Sequence, residues 1–175
     1  MIEYDFIPPE QSSLDQLQTE VILLPFFEDE RPLRGAAGLV DWRLCGALSR
    51  RLAGGDLRGN FGEKSWAITL PKLKAERLLL FGLGQSKAFD RRVAEEACAL
   101  IAKAINEAKL ATAALALPGR SMDRLSAEDA MQHWLDATPR DLALGELTII
   151  EHRADHKPLE SVIDGLRRQA ESPLG

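Results

Sequence analysis

What this chain lacks narrows its possible roles. Two cysteines in 175 residues are too few for a disulfide framework, and Cys45 and Cys98 both fall on the apolar side of expected helices. They read as reduced, buried thiols in a cytoplasmic protein. No apolar run nears the roughly 20 residues that a bilayer-crossing helix needs. The N-terminus, MIEYDFIPPE, has no basic region followed by an apolar core, so a soluble, cytosolic protein is expected. Positive charge is not in excess: 22 Lys and Arg against 27 Asp and Glu leave −5, with the signs interleaved. No basic stripe is available for a phosphate backbone, and nucleic acid is not the expected partner.

Reactive groupings are scarce too. There is no G-x-S-x-G elbow and no P-loop lysine pattern. Ser49, Ser65 and Cys45 have no evident base beside them, which argues against a serine or cysteine hydrolase. Of the three histidines, His152 and His156 flank Asp155 at the spacing of a helical metal pair. The preceding strand and Pro158 place them in a loop or turn, where that spacing has no fixed geometry, so no metal and no cofactor are expected. His133, beside Trp134, is expected on a helix surface. The acidic turn Glu28-Asp29-Glu30 reads as a solvated loop.

What is present is the pattern of one α/β domain spanning residues 1–175, with 45% hydrophobic residues to fill a core. The organising stretch runs from Gly54 to Gly84. A glycine-rich loop leads into an alternating run, Ser65 to Leu70. A polar break follows, then the unbroken apolar run Leu78 to Phe81, closed by Gly82-Leu83-Gly84. These imply a hairpin-like pair of strands between two glycine loops. Further strands are expected at Tyr4 to Ile7, stopped at a sheet edge by Pro8-Pro9, and at Val21 to Leu24, Ala113 to Leu117 and Leu147 to Ile150.

Helical spacing appears between these strands. Ala36, Val40, Leu44, Ala47, Leu48 and Leu52 predict one helix ending at Gly54-Gly55, with Asp41, Arg43, Arg50 and Arg51 on or beside its polar side. Asp90 can cap a second helix whose apolar face is Val93, Ala97, Ile101, Ala104, Ile105 and Ala108. Ser126 and Asp129 have capping-box spacing at the start of a third, in which Met131 and Trp134 belong to the core. Pro158 lies near the first turn of a fourth, with Leu159, Val162, Ile163, Leu166 and Ala170 on one face. Residues 155–175 have the character of a linker-like terminal helix.

The glycines are the candidate ligand-binding positions: Gly55, Asp56, Gly59, Gly82, Leu83 and Gly84. Gly82-Leu83-Gly84 follows a buried strand and precedes the Asp90 helix, where α/β proteins turn backbone donors towards phosphate. Lys87 stands where G-x-G-x-x-G needs its third glycine, so a tight packing turn remains the competing reading.

The succession Ala36-Ala37, Asp41, Cys45-Gly46, Leu48-Ser49, Gly55-Asp56-Leu57, Gly59, Gly62-Glu63, Leu70-Pro71, Arg77 to Leu80, Gly82-Leu83-Gly84 and Phe89-Asp90 resembles the N-terminal domain of the leucyl (cytosol) aminopeptidase family. The likeness continues through Ala114 to Pro118, more loosely in Glu146 to Ile150, and is poor between Arg120 and Leu144. It implies a macro-domain-like αβα sandwich with a mixed sheet. The family's two-zinc centre, around an N-T-D-A-E-G-R stretch, belongs to its C-terminal domain, and nothing of that kind occurs in this sequence. The resemblance therefore implies a stand-alone, non-enzymatic interaction, regulatory or oligomerisation module with a protein partner or a second copy of itself. The alternative it implies is a nucleotide or ADP-ribose-like small-molecule binding module using the glycine loops.

Overall fold

The structure is a computed structural model describing residues 1–69 and 71–171. Leu70, the side chain of Ala170 and residues Ser172 to Gly175, all named above, lie outside the described residues. A six-stranded sheet runs in the order β1-β6-β5-β2-β4-β3. Its strands are β1 (Glu3–Ile7), β2 (Val21–Phe26), β3 (Lys64–Ile68), β4 (Arg77–Gly82), β5 (Thr112–Ala116) and β6 (Glu146–Ile150). Every neighbouring pair is parallel except β3 with β4, which is antiparallel. The sheet is therefore mixed, as expected.

Period-two alternation sends the strands' side chains to two cores. On one face Val21, Leu23, Leu79, Phe81, Ala113, Leu115, Leu147 and Ile149 meet α4 (Arg91–Glu107), α5 (Ala127–Ala137) and α6 (Arg153–Glu171). On the other, Ile22, Leu24, Phe26, Leu78, Leu80, Ala114 and Ile150 meet α1 (Gln11–Gln16), α2 (Gly35–Arg43) and α3 (Ala47–Ala53). This is the αβα sandwich. β2 is buried along its whole length because parallel strands covered on both faces need no polar alternation. Its ladder to β5 ends at Leu23, so Pro25, which has no N–H to give, is tolerated inside the strand.

Both sequence-expected caps are made: Asp90 accepts from the Val93 amide at 2.9 Å and Ser126 from the Asp129 amide at 3.0 Å. Met131 and Trp134 are fully buried, and the Trp134 indole donates to the Tyr4 hydroxyl at 3.3 Å.

Several expectations are corrected. The helix expected from Ala36 to Leu52 is two helices, α2 and α3, separated by a left-handed turn at Cys45 (φ 57°) and Gly46 (φ 76°). The cause is Asp41, which was expected among the polar-side and flanking residues but is buried. Its carboxylate accepts from the Leu48 amide at 2.8 Å, the Ser49 amide at 3.1 Å and the Ser49 hydroxyl, capping α3 from within α2. Cys45 is consequently exposed rather than buried, whereas Cys98 is buried as expected. His133 is buried between α4 and α5, with Nδ1 3.6 Å from a Glu95 carboxylate oxygen. α6 begins at Arg153, so Pro158 lies inside it. His156 therefore sits on a helix rather than in a loop. Its ring packs on Phe6 at 5.5 Å, and its Nε2 lies 2.7 Å from the Glu151 carbonyl.

Candidate functional site

In an open α/β sheet, ligands bind beyond the carboxyl ends of the strands, where neighbouring strands send their connections in opposite directions. Here that place is between β2, which leads to α2, and β5, which leads to α5. The loops that part at this point are rejoined by side chains. Glu30, after β2, is wholly buried; it accepts from the Ser121 hydroxyl, on the loop after β5, and from the Arg34 amide at 3.3 Å. Burial pushes the Glu30 carboxyl above its ordinary range, with the Ser121 and Arg34 hydrogen bonds opposing the shift.

A second tie lies one strand further on. Arg120 forms a bidentate pair with Glu151, at 2.7 and 3.2 Å, and also donates to the Leu125 carbonyl at 2.8 Å. Asp155 lies 3.6 Å from the same guanidinium. These hydrogen bonds hold the Arg120 guanidinium firmly protonated. On the other side of β2, Asp29 accepts from the Ser86 amide at 2.8 Å and the Ser86 hydroxyl at 2.5 Å, which holds its carboxyl below the ordinary range. Arg31 spans the loops by donating to the Glu30 carbonyl and the Arg58 carbonyl, each at 3.0 Å. Of the acidic turn expected to be solvated, Glu30 is instead buried and Asp29, though exposed, is tied to Ser86, so these two side chains link the loops on either side of β2.

Of the sequence-derived positions, Gly59, Gly82, Leu83 and Gly84 are brought together, and they pack on one another. A Cβ at Gly82 would stand 2.1 Å from the Asn60 carbonyl oxygen and 2.6 Å from the Gly59 carbonyl carbon. Their amides are engaged within the protein. Gly82 donates to Glu63 O at 2.8 Å, Leu83 to Phe26 O at 2.9 Å and Gly84 to Gly59 O at 2.8 Å. The Gly59 amide donates to the Glu63 carboxylate at 2.5 Å. Gly55 and Asp56 are tied instead to the end of α3. Their amides bond Leu52 O and Arg51 O, and the Asp56 carboxylate pairs with Arg51 at 2.8 Å. All six candidate amides thus have internal partners.

Two open clefts lie elsewhere. One, of about 620 Å³, opens at the α2–α3 turn beside Trp42, Arg43, Cys45 and Lys72. The other, of about 400 Å³, lies between Trp66 and Arg77 of the sheet edge and Ala104, Glu107 and Ala108 of α4. Among the described residues no cluster of three or more His, Cys, Asp or Glu is placed to hold a metal ion, and no helix is long and apolar enough to cross a membrane.

Residues 23–135 match the model of the cytosol aminopeptidase family, N-terminal domain. The chain belongs to that family. Cytosol aminopeptidase of Pseudomonas aeruginosa is 32% identical over 160 residues, covering 83% of this chain and 32% of that protein. A variant of tomato leucine aminopeptidase superposes with a TM-score of 0.62 at 18% identity, over 93% of this chain and 35% of that one. The Oceanobacillus iheyensis macrodomain with ADP superposes with a TM-score of 0.69 at 12% identity, over 90% of this chain and 89% of that one. This aminopeptidase N-terminal domain therefore has the macrodomain-like fold expected of it, and it spans about a third of the aminopeptidases it matches.

Glu30, Ser121, Arg120 and Glu151 escaped the sequence reading. Arg120 and Ser121 lie where the family resemblance is poorest. Glu30 sits in an acidic run that composition alone reads as solvent-facing, and only its place behind the central strand signals otherwise.

Proposed function

We propose that this domain is a non-catalytic, cytoplasmic interaction module of the aminopeptidase family, serving association or regulation through its surface rather than through its strand-end crevice. The observation that carries the reading is the internal filling of that crevice by Glu30 and Ser121, flanked by the Arg120–Glu151 pair. A carboxylate already occupies the place where an anionic ligand would seek donors. Meanwhile Trp66 and Ile68, at 42 and 78% exposure on alternate positions of one edge strand, leave neighbouring large apolar groups in solvent, which favours a protein contact there.

The test is light scattering on the purified chain, together with affinity capture from native lysate. A defined oligomer, or a retained aminopeptidase-family chain, supports the reading. A strict monomer that retains no protein overturns it. The second reading, an ADP-ribose-like ligand, is favoured by the likeness to the macrodomain with ADP, but the engaged amides of Gly59, Gly82, Leu83 and Gly84 weigh against it.

A further inference from the structure

The two edges of the sheet are built differently. β1 is guarded: Asp5 accepts from the neighbouring Phe6 amide at 2.9 Å, Glu3 adds a second charge, and Pro8-Pro9 end the strand. Charges, prolines and self-satisfied amides are the devices by which edges avoid pairing. The other edge, β3, has none of them along Lys64–Ile68 except a lysine at its start.

Its pairing parity shows which groups are open. Gly82 donates to Glu63 O at 2.8 Å and Thr69 donates to Glu76 O at 3.4 Å. By alternation, Ser65 and Ala67 bond β4, whereas the N–H and C=O of Lys64, Trp66 and Ile68 point away from the sheet. Those same three residues send their exposed side chains to one face of the strand, where Lys64 and Trp66 line the cleft opposite Ala104, Glu107 and Ala108 of α4. The Arg77 guanidinium lies 5.3 Å from the Trp66 ring centroid, bracing an aromatic group that is 42% exposed.

We propose that this edge pairs with the β3 of a second copy, antiparallel and related by a two-fold axis through Trp66. This rests on the interaction reading above and names its partner. Two identical strands meeting about a two-fold axis are necessarily antiparallel. With Trp66 opposite Trp66 of the second copy, Lys64 faces Ile68 and Ser65 faces Ala67. The only charge in the strand therefore never meets its own copy. The outward groups of Lys64, Trp66 and Ile68 then form about six backbone hydrogen bonds, two for each hydrogen-bonded pair. The aromatic pair at the axis and the flanking Ile68 side chains bury what each copy alone exposes.

The register makes a charge-exchange test available. Ile68→Lys sets a lysine opposite Lys64 of the other copy twice over, and should weaken self-association by at least about tenfold. Since Ile68 is 78% exposed, the variant should fold with an unchanged circular dichroism spectrum. Adding Lys64→Glu turns both repulsions into opposite-charge pairs and should restore association to near the wild-type level, which no other register predicts. Sedimentation equilibrium of the wild type and both variants gives the readout. A wild-type monomer at millimolar concentration, an Ile68→Lys variant that associates as well as wild type, or no recovery in the double variant overturns the proposal. If any of these occurs while native lysate still yields a protein partner, only the β3 pairing falls. If lysate yields nothing and the chain is a monomer, the wider interaction reading falls with it.

Discussion

Replacing Gly82 with alanine separates a packing role for the glycine loops from a ligand-cradling one. The added methyl would need a position 2.1 Å from Asn60 O and 2.8 Å from Gly59 O, and both neighbours are backbone that cannot rotate aside. The loop from Gly59 to Gly62 must shift, straining the bonds from Gly62 N to Gly82 O at 3.0 Å and from Gly84 N to Gly59 O at 2.8 Å. Overpacking costs about 1–3 kcal/mol, and each weakened hydrogen bond adds about 1 kcal/mol. The expected loss is roughly 3–5 kcal/mol, or a fall in Tm of about 6–20 °C for a domain of this size. Gly62→Ala is the control. It meets nothing within 4 Å but sits at φ +81°, so only the left-handed backbone is penalised, at about 1–2 kcal/mol. Urea unfolding followed by circular dichroism measures both. If Gly82→Ala loses less than about 1 kcal/mol, or no more than Gly62→Ala, the packing account of these glycines is refuted.

Two further outcomes follow from buried titratable groups. The Glu30 carboxyl has its folded-state pKa raised above the ordinary 4.5, so the folded state holds that proton more tightly than the unfolded one. The resulting stabilisation is complete below the unfolded value and is lost as pH rises through the folded one. Glu30→Gln, which keeps an acceptor and adds a donor, should flatten that decline. The gap in urea midpoint between variant and wild type should move in the variant's favour with rising pH, and a constant gap would contradict the burial argument. Of the two thiols, Cys45 is exposed, whereas burial pushes Cys98 up to about 12. An aromatic disulfide reagent at mildly alkaline pH should label one cysteine quickly and the second only on unfolding, and a Cys45→Ser variant should lose the fast phase.

Elements with one dominant physical cause were legible in the sequence. β2, β4, β5 and β6 are short apolar runs bounded by turn residues, and α4 and α5 announce themselves by periodicity and by the Asp90 and Ser126 caps. The break between α2 and α3 was hidden because the apolar spacing runs through it. Only a buried Asp41, taking two amides of the next helix, shows why Cys45 and Gly46 turn aside. The start of α6 was obscured by Pro158, which the helix accommodates in its interior. At the strand ends, attention went to glycines because phosphate loops are glycine-rich. The groups that occupy the β2–β5 crevice are Glu30 and Ser121, separated by 91 positions and linked only by the fold. The family was readable from residues 36–90 because glycine and aspartate positions with backbone duties are densest there. Gly59 and Gly82 are themselves among the positions that carry the resemblance.

The two tasks of the domain's surface are thus divided. The strand-end crevice is secured by internal hydrogen bonds and ion pairs, while one sheet edge is left with open backbone groups and apolar side chains. Calorimetric titration of the purified chain with ADP-ribose tests the first half, and with it the account as a whole. No saturable heat at millimolar ligand is predicted, because Glu30 sets an acidic side chain between the β2 and β5 loops and the candidate glycine amides are engaged within the protein. Saturable binding would contradict it.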